Sequence, residues 1–85
     1  RRLLEAKNAE IESLKTLVAT DKEIMVLRKR ITASAESQYE NGTITATDLL
    51  NEINAEKLAE INAEIHMINL AMAQVEYLNI CGKEL

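Results

Sequence analysis

The feature that most restricts the fold is the scarcity of helix-breaking residues: the chain has no proline and only two glycines among its 85 residues. Residues 3–39 contain neither type, so nothing interrupts a helix over this stretch. A helix of that length would extend roughly 55 Å. A rod of this length does not fit inside a compact domain of 85 residues, and we therefore predict an elongated coiled coil.

Apolar residues recur along this first predicted helix. Leu17, Ile24 and Ile31 follow one another at intervals of seven, which is the repeat of a coiled coil. Neighbouring aliphatic residues widen the stripe, namely Leu14, Val18, Met25 and Leu27. The pattern indicates a helix that packs along its length against another helix.

The helical pattern stops at Asn41-Gly42, the strongest turn dipeptide in the chain, because both residues tolerate positive φ. The β-branched residues that follow disfavour a helix. Thr45 or Thr47 can cap the second helix, and Asp48 is well placed in its first turn.

Together these signals predict an all-α fold, a long antiparallel two-helix coiled-coil hairpin that is one unit over residues 1–85. Its parts are a helix at about 3–39, a tip turn at about 40–47 and a helix at about 48–80. Aromatic residues make up only 2% of the chain, so the side chains that usually bury the most area in a core are scarce. We therefore expect the hairpin to associate into a helical dimer or a larger bundle.

A regular apolar line runs along the second predicted helix, with alternating intervals of three and four residues. We call it the Leu58 line, and it consists of Leu58, Ile61, Ile65, Ile68, Met72 and Val75. A second apolar line lies beside it and consists of Ala63, Met67, Leu70, Ala71 and Leu78. A helix with two apolar lines packs against two neighbours, as in a ring of helices. A four-helix bundle made from two hairpins explains the pattern equally well.

No combination of residues matches an enzyme active site, and we expect no catalytic site, metal or cofactor. His66 is the only histidine and Cys81 the only cysteine, whereas zinc needs several converging ligands and a nucleophilic cysteine needs an adjacent base. Ala63 stands three residues before His66, where a di-metal carboxylate bundle has a glutamate. Four glutamates spaced i, i+4 form either a solvated face or an acidic surface along a water-filled passage, and they are Glu52, Glu56, Glu60 and Glu64.

The net charge of −4 argues against a nucleic-acid partner, because phosphate binding needs a concentrated basic face. The basic run Arg28-Lys29-Arg30 points in several directions on a helix and is interpreted as solvated. No apolar run approaches the roughly 20 residues that a membrane-spanning helix needs, and we expect the chain as given to be soluble. It begins in the middle of a helical pattern, which suggests a piece of something longer.

Several residues around the turn and at the end of the second helix follow a recognisable order: Tyr39, Gly42, Thr45, Asp48, Leu50 and Gly82. This order resembles the C-terminal repeat of TolC-family outer membrane efflux proteins, which typically read Tyr-x-x-Gly-x-x-Thr/Ser-x-x-Asp-x-Leu here. The first helix, with Asp21-Lys22-Glu23-Ile24 and Leu27-Arg28, is similar to the incoming helix of the family. The resemblance extends over essentially the whole chain.

The resemblance implies a trimeric channel with a β-barrel in the outer membrane and a long α-helical barrel in the periplasm of a Gram-negative bacterium. This chain would be one periplasmic hairpin of the α-barrel, without a membrane-spanning segment. Such channels serve drug efflux or type I secretion. Their partners are a periplasmic adaptor (membrane fusion) protein and, indirectly, an inner-membrane pump.

The resemblance also implies roles for residues at the turn. The tip that docks the hairpin of the adaptor would consist of Asn41, Gly42 and Thr43. The channel entrance and its gate would include Tyr39, Asp48 and Asn51. Asn51 stands where some members have a second acidic residue, and Ile44 stands where some have an arginine.

Two other interpretations stay open. The first is a structural coiled-coil module that oligomerises or acts as a scaffold and has no role in transport. The second is an enzyme built on a helical bundle. Specific binding at the tip would separate the channel segment from the scaffold, and elemental analysis for bound metal would test the enzyme.

Overall fold

The computed structural model describes residues 2–84, which form two long antiparallel helices and the turn between them. Helix α1 is Arg2–Glu40 and helix α2 is Ala46–Glu84, each of 39 residues. A helix of that length rises about 58 Å, and it accounts for the long axis of a molecule that measures 64 × 14 × 13 Å. The predicted all-α hairpin is confirmed, and residues 2–84 contain no strand.

The helices meet along an inner seam, whose residues are spaced alternately by three and four as in a coiled coil. On α1 the inner seam consists of Leu4, Lys7, Ile11, Leu14, Val18, Asp21, Met25, Arg28, Thr32 and Ala35. On α2 it consists of Leu49, Glu52, Glu56, Ala59, Ala63, His66, Leu70, Ala73, Tyr77 and Ile80. All of these side chains are buried or half-buried, so they define the face on which each helix packs against the other.

The inner seam buries little apolar surface. Its buried apolar residues are Ile11, Ala35 and Ala73. Asp21 and Thr32 are buried with them, and the Thr32 hydroxyl has no hydrogen-bond partner. Because burial of apolar area is the main source of stability, this seam alone gives the hairpin only a small free energy of unfolding.

Ion pairs cross the inner seam at both ends. Toward the open end, Lys7 Nζ lies 2.8 Å from Glu76 Oε2 on α2 and 2.7 Å from Glu10 Oε2 on its own helix. Hydrogen bonds to Glu10 and Glu76 raise the pKa of Lys7. Nearer the tip, Arg28 Nη1 lies 3.9 Å from Glu52 Oε2. These pairs place opposite charges on the two helices in the observed antiparallel register.

Candidate functional site at the tip and on the outer faces

Helix α1 ends in a Schellman motif at the predicted tip. The Gly42 N–H donates to the Tyr39 carbonyl at 3.0 Å, and the Thr43 N–H donates to the Gln38 carbonyl at 2.8 Å. Gly42 has a φ of 74°, which is left-handed and favours glycine. The side chains of Asn41 and Thr43 are exposed. The tip therefore combines a backbone held by hydrogen bonds with side chains that face solvent.

Replacement of Gly42 by alanine is expected to lower the free energy of unfolding by about 1 kcal/mol, because an L side chain is strained at this φ. A Cβ at Gly42 would meet no atom within 4 Å, so the cost comes from the backbone and not from a clash. The matched control is Gly82→Ala, which lies inside α2 and should be neutral or stabilising. Equal effects of both substitutions on the free energy of unfolding, measured in urea, would contradict the left-handed backbone conformation at Gly42.

Helix α2 begins with a reciprocal cap. The Asp48 N–H donates to Thr45 Oγ1 and the Thr45 N–H donates to Asp48 Oδ2, both at 3.1 Å. This is a capping box, in which two otherwise unpaired backbone donors are satisfied by side chains. Of the two predicted capping residues, Thr45 is the cap, and α2 therefore starts at Ala46. The helix also continues past Gly82, which does not end it.

The structure brings together two of the three residues that the resemblance assigns to the entrance. Asp48 and Asn51 line the same open groove of about 480 Å³ beside the tip. We call this side of the hairpin the Asp48 face. Tyr39 is exposed but is not among the residues that line the groove. A groove that contains Asp48 and Asn51 can present a carboxylate and an amide to water or to a partner.

The most regular apolar line of the sequence does not pack against α1. Every member of the Leu58 line is exposed, from 47% for Ile65 to 63% for Leu58. The inner seam instead uses Ala63 and Leu70 of the second predicted line, together with other small residues. Helix α2 therefore has two apolar sides, and the hairpin covers only one of them.

Helix α1 has a shorter outer line, which the sequence did not separate from its inner seam. We call it the Leu17 line, and it consists of Leu17, Ile24, Leu27 and Ile31; the first three are exposed and the last is half-buried. Ile24 and Leu58 line one groove of about 280 Å³, and Ile31 lines the groove beside the tip. The Leu17 line therefore lies on the Asp48 face.

The glutamate repeat does not form one acidic face. Glu52 and Glu56 are half-buried in the inner seam, whereas Glu60 and Glu64 are exposed. Each i, i+4 step turns the helix by about 40°, so three steps spread the carboxylates over roughly a third of its circumference. The interpretation of the whole repeat as an acidic surface along a passage is therefore wrong.

The basic run Arg28-Lys29-Arg30 is solvated only in part. Arg28 is half-buried in the inner seam, whereas Lys29 and Arg30 are exposed as predicted.

His66 contacts a buried carboxylate across the hairpin: its Nδ1 lies 2.6 Å from Asp21 Oδ2. Sequence reasoning missed this partner, although both are polar residues within the inner seam. Cys81 is half-buried. Electrostatic repulsion from Cys81 is the main cause that raises the pKa of Tyr77, and a hydrogen bond between the two side chains is the second. Within residues 2–82, no three His, Cys, Asp or Glu side chains are grouped so that they could hold a metal ion.

Neither α1 nor α2, over the described residues, is apolar enough along its length to cross a membrane. Comparison of the chain with protein-family models, with curated proteins and with solved structures gives no match. Inference about function therefore starts from the geometry of the tip and of the two outer lines.

Proposed function

We propose that this hairpin is a wall segment of a TolC-like trimeric outer membrane channel that serves drug efflux or type I secretion. In this proposal the tip docks the hairpin of a periplasmic adaptor protein, and the adaptor connects the channel to an inner-membrane pump. The observation that supports it best is the second apolar side of α2, the Leu58 line, which is regular and exposed. A wall helix needs such a side because it has a neighbour on each flank.

The angles between the apolar sides fit a curved layer of helices. At about 100° of rotation per residue, the Leu58 line is centred about 160° from the inner seam on α2, and the Leu17 line about 110° from the inner seam on α1. On each helix, the side enclosed by this angle is the one that belongs to the Asp48 face. Helices added at both edges of the hairpin would therefore give a layer that is concave on that face, as the wall of a barrel is.

In such a barrel, Asp48 and Asn51 would lie on the inner surface at the tip end, where the resemblance implies the channel entrance. The tip residues Asn41, Gly42 and Thr43 would form the extreme end of the wall. Because Gly42 has no side chain and the space around it is open, a partner helix can approach the backbone there closely.

A structural coiled-coil module is the second candidate. The exposed Leu58 line favours it to the same degree, because a scaffold also needs an apolar helix face for its partner. The two candidates differ at the tip. A channel segment needs a defined tip surface for docking, whereas a scaffold tolerates bulky residues there.

The test is the substitution Gly42→Trp in the channel protein to which the hairpin would belong. We expect it to abolish efflux or secretion and binding of the adaptor, because the indole fills the space that docking requires, while helicity by circular dichroism is retained. Gly42→Asn is the control for backbone conformation, since asparagine tolerates positive φ, and it should keep most of the activity. Unchanged transport in Gly42→Trp would remove the docking role and favour the scaffold.

A further inference from the structure

The tip contains the one asparagine of the chain that a glycine follows. Asn41 precedes Gly42, whereas every other asparagine precedes a residue with a side chain, and these are Asn8, Asn51, Asn54, Asn62, Asn69 and Asn79. Because glycine has no Cβ, its backbone nitrogen can approach the side chain of the preceding residue closely. The other six asparagines also lie inside α1 or α2, where the regular helical hydrogen bonds restrict such an approach.

The surroundings of Asn41 leave its side-chain amide open to attack. The side chain of Asn41 is exposed, and a Cβ at Gly42 would meet no atom within 4 Å, so there is room beside the peptide bond that joins them. The φ angle of Asn41 is not positive. The backbone conformation at this position therefore suits most residues and does not by itself require an asparagine.

We propose that Asn41 is a site of spontaneous covalent modification. The Gly42 backbone nitrogen loses its proton to water and attacks Asn41 Cγ, the bond from Cγ to Nδ2 breaks, and Nδ2 leaves as ammonia. The reaction is intramolecular and closes a five-membered cyclic imide, which favours it over attack from outside. One water molecule then opens the imide. Cleavage at Cγ gives aspartate, and cleavage at the main-chain carbonyl carbon gives isoaspartate.

The hydrogen bonds of the tip control how often this reaction can start. The attacking nitrogen belongs to Gly42, whose N–H donates to the Tyr39 carbonyl at 3.0 Å. The Thr43 N–H and Thr43 Oγ1 both donate to the Gln38 carbonyl, at 2.8 and 2.9 Å. These bonds must open before the Gly42 nitrogen can turn toward Asn41 Cγ. The reaction therefore proceeds through a local opening of the tip, which costs less than unfolding of the hairpin.

Both products loosen the end of α1. The new carboxylate lies at the C-terminal end of the helix, where the backbone carbonyls already give a partial negative charge. The last turn of α1 contains Glu40 and no basic residue, so no cation there offsets the added charge. Isoaspartate in addition inserts a methylene group into the main chain and displaces the N–H groups of Gly42 and Thr43 from their acceptors. The modification therefore makes the tip more negative and less well held with time.

This modification goes beyond the proposed channel and does not depend on it, because the reaction needs only the tip and water. The folded 85-residue chain is incubated in mildly alkaline buffer, and peptide mapping by mass spectrometry follows each asparagine. Asn54 and Asn62 are internal controls, since both are exposed, lie within α2 and precede alanine. A parallel sample in urea reports the rate without the hydrogen bonds of the tip. The variant Asn41→Gln keeps a side-chain amide but would have to close a larger ring.

We expect Asn41 in the folded chain to react at least about tenfold faster than Asn54 and Asn62, and faster still in urea. The incubated natural chain should unfold at a lower urea concentration than the fresh chain, and Asn41→Gln should not show this shift. Conversion of Asn41 no faster than that of Asn54 and Asn62 would overturn the proposal. Equal rates with and without urea would overturn the step of local opening. Neither result would affect the experiment with Gly42→Trp, so failure of this proposal and failure of the channel proposal are distinguishable.

Discussion

Replacement of His66 by alanine is expected to lower the free energy of unfolding by about 2 kcal/mol, because it leaves the Asp21 carboxylate in the inner seam without its partner. His66 Nδ1 lies 2.6 Å from Asp21 Oδ2, and the side chains are only 29% and 11% exposed, respectively. Water therefore cannot fully replace the lost contact, unlike at a surface ion pair. Urea unfolding followed by circular dichroism measures the change at one fixed protein concentration, since self-association alters apparent stability.

Two further variants separate this contact from a general effect of substitution on α2. Glu64→Ala changes an exposed residue on the same helix and should alter stability by less than about 0.5 kcal/mol. The double variant Asp21→Leu with His66→Leu removes both partners, and it should be as stable as the natural sequence or more stable. If His66→Ala and Glu64→Ala had equal effects, the contact would contribute nothing to stability.

The sequence predicted both helices because their signals are local. Residues 3–39 lack glycine and proline, and Asn41-Gly42 is an unambiguous turn. The sequence did not predict which apolar line of α2 faces α1, because that choice depends on how the two helices pack against each other. A short turn brings the two helices close together, and the small side chains of Ala59, Ala63 and Ala73 allow this approach. The large residues of the Leu58 line would hold the helices further apart, and they remain outside.

The candidate site at the tip could be predicted in part. Asn41-Gly42 and the two threonines indicate the turn and the cap from sequence alone, and the structure adds how the backbone is held. The entrance role of Asp48 came from the resemblance and stays a prediction. The hydrogen bond that Asp48 accepts from the Thr45 N–H could not be predicted from the sequence, because Thr47 was an equally good capping residue by type. A test of its charge should therefore use Asp48→Asn, which keeps an acceptor for this bond.

Replacement of Ala73 by leucine is expected to lower the free energy of unfolding by about 2 kcal/mol, because extra methylene groups in a close helix contact force the helices apart. Ala73 is the most buried apolar residue of the inner seam, only 2% exposed. Ala71→Leu adds the same atoms two residues away at an exposed position and should change stability by less than about 0.5 kcal/mol. Urea unfolding of both variants decides the point: similar stabilities would mean that α1 does not pack against Ala73.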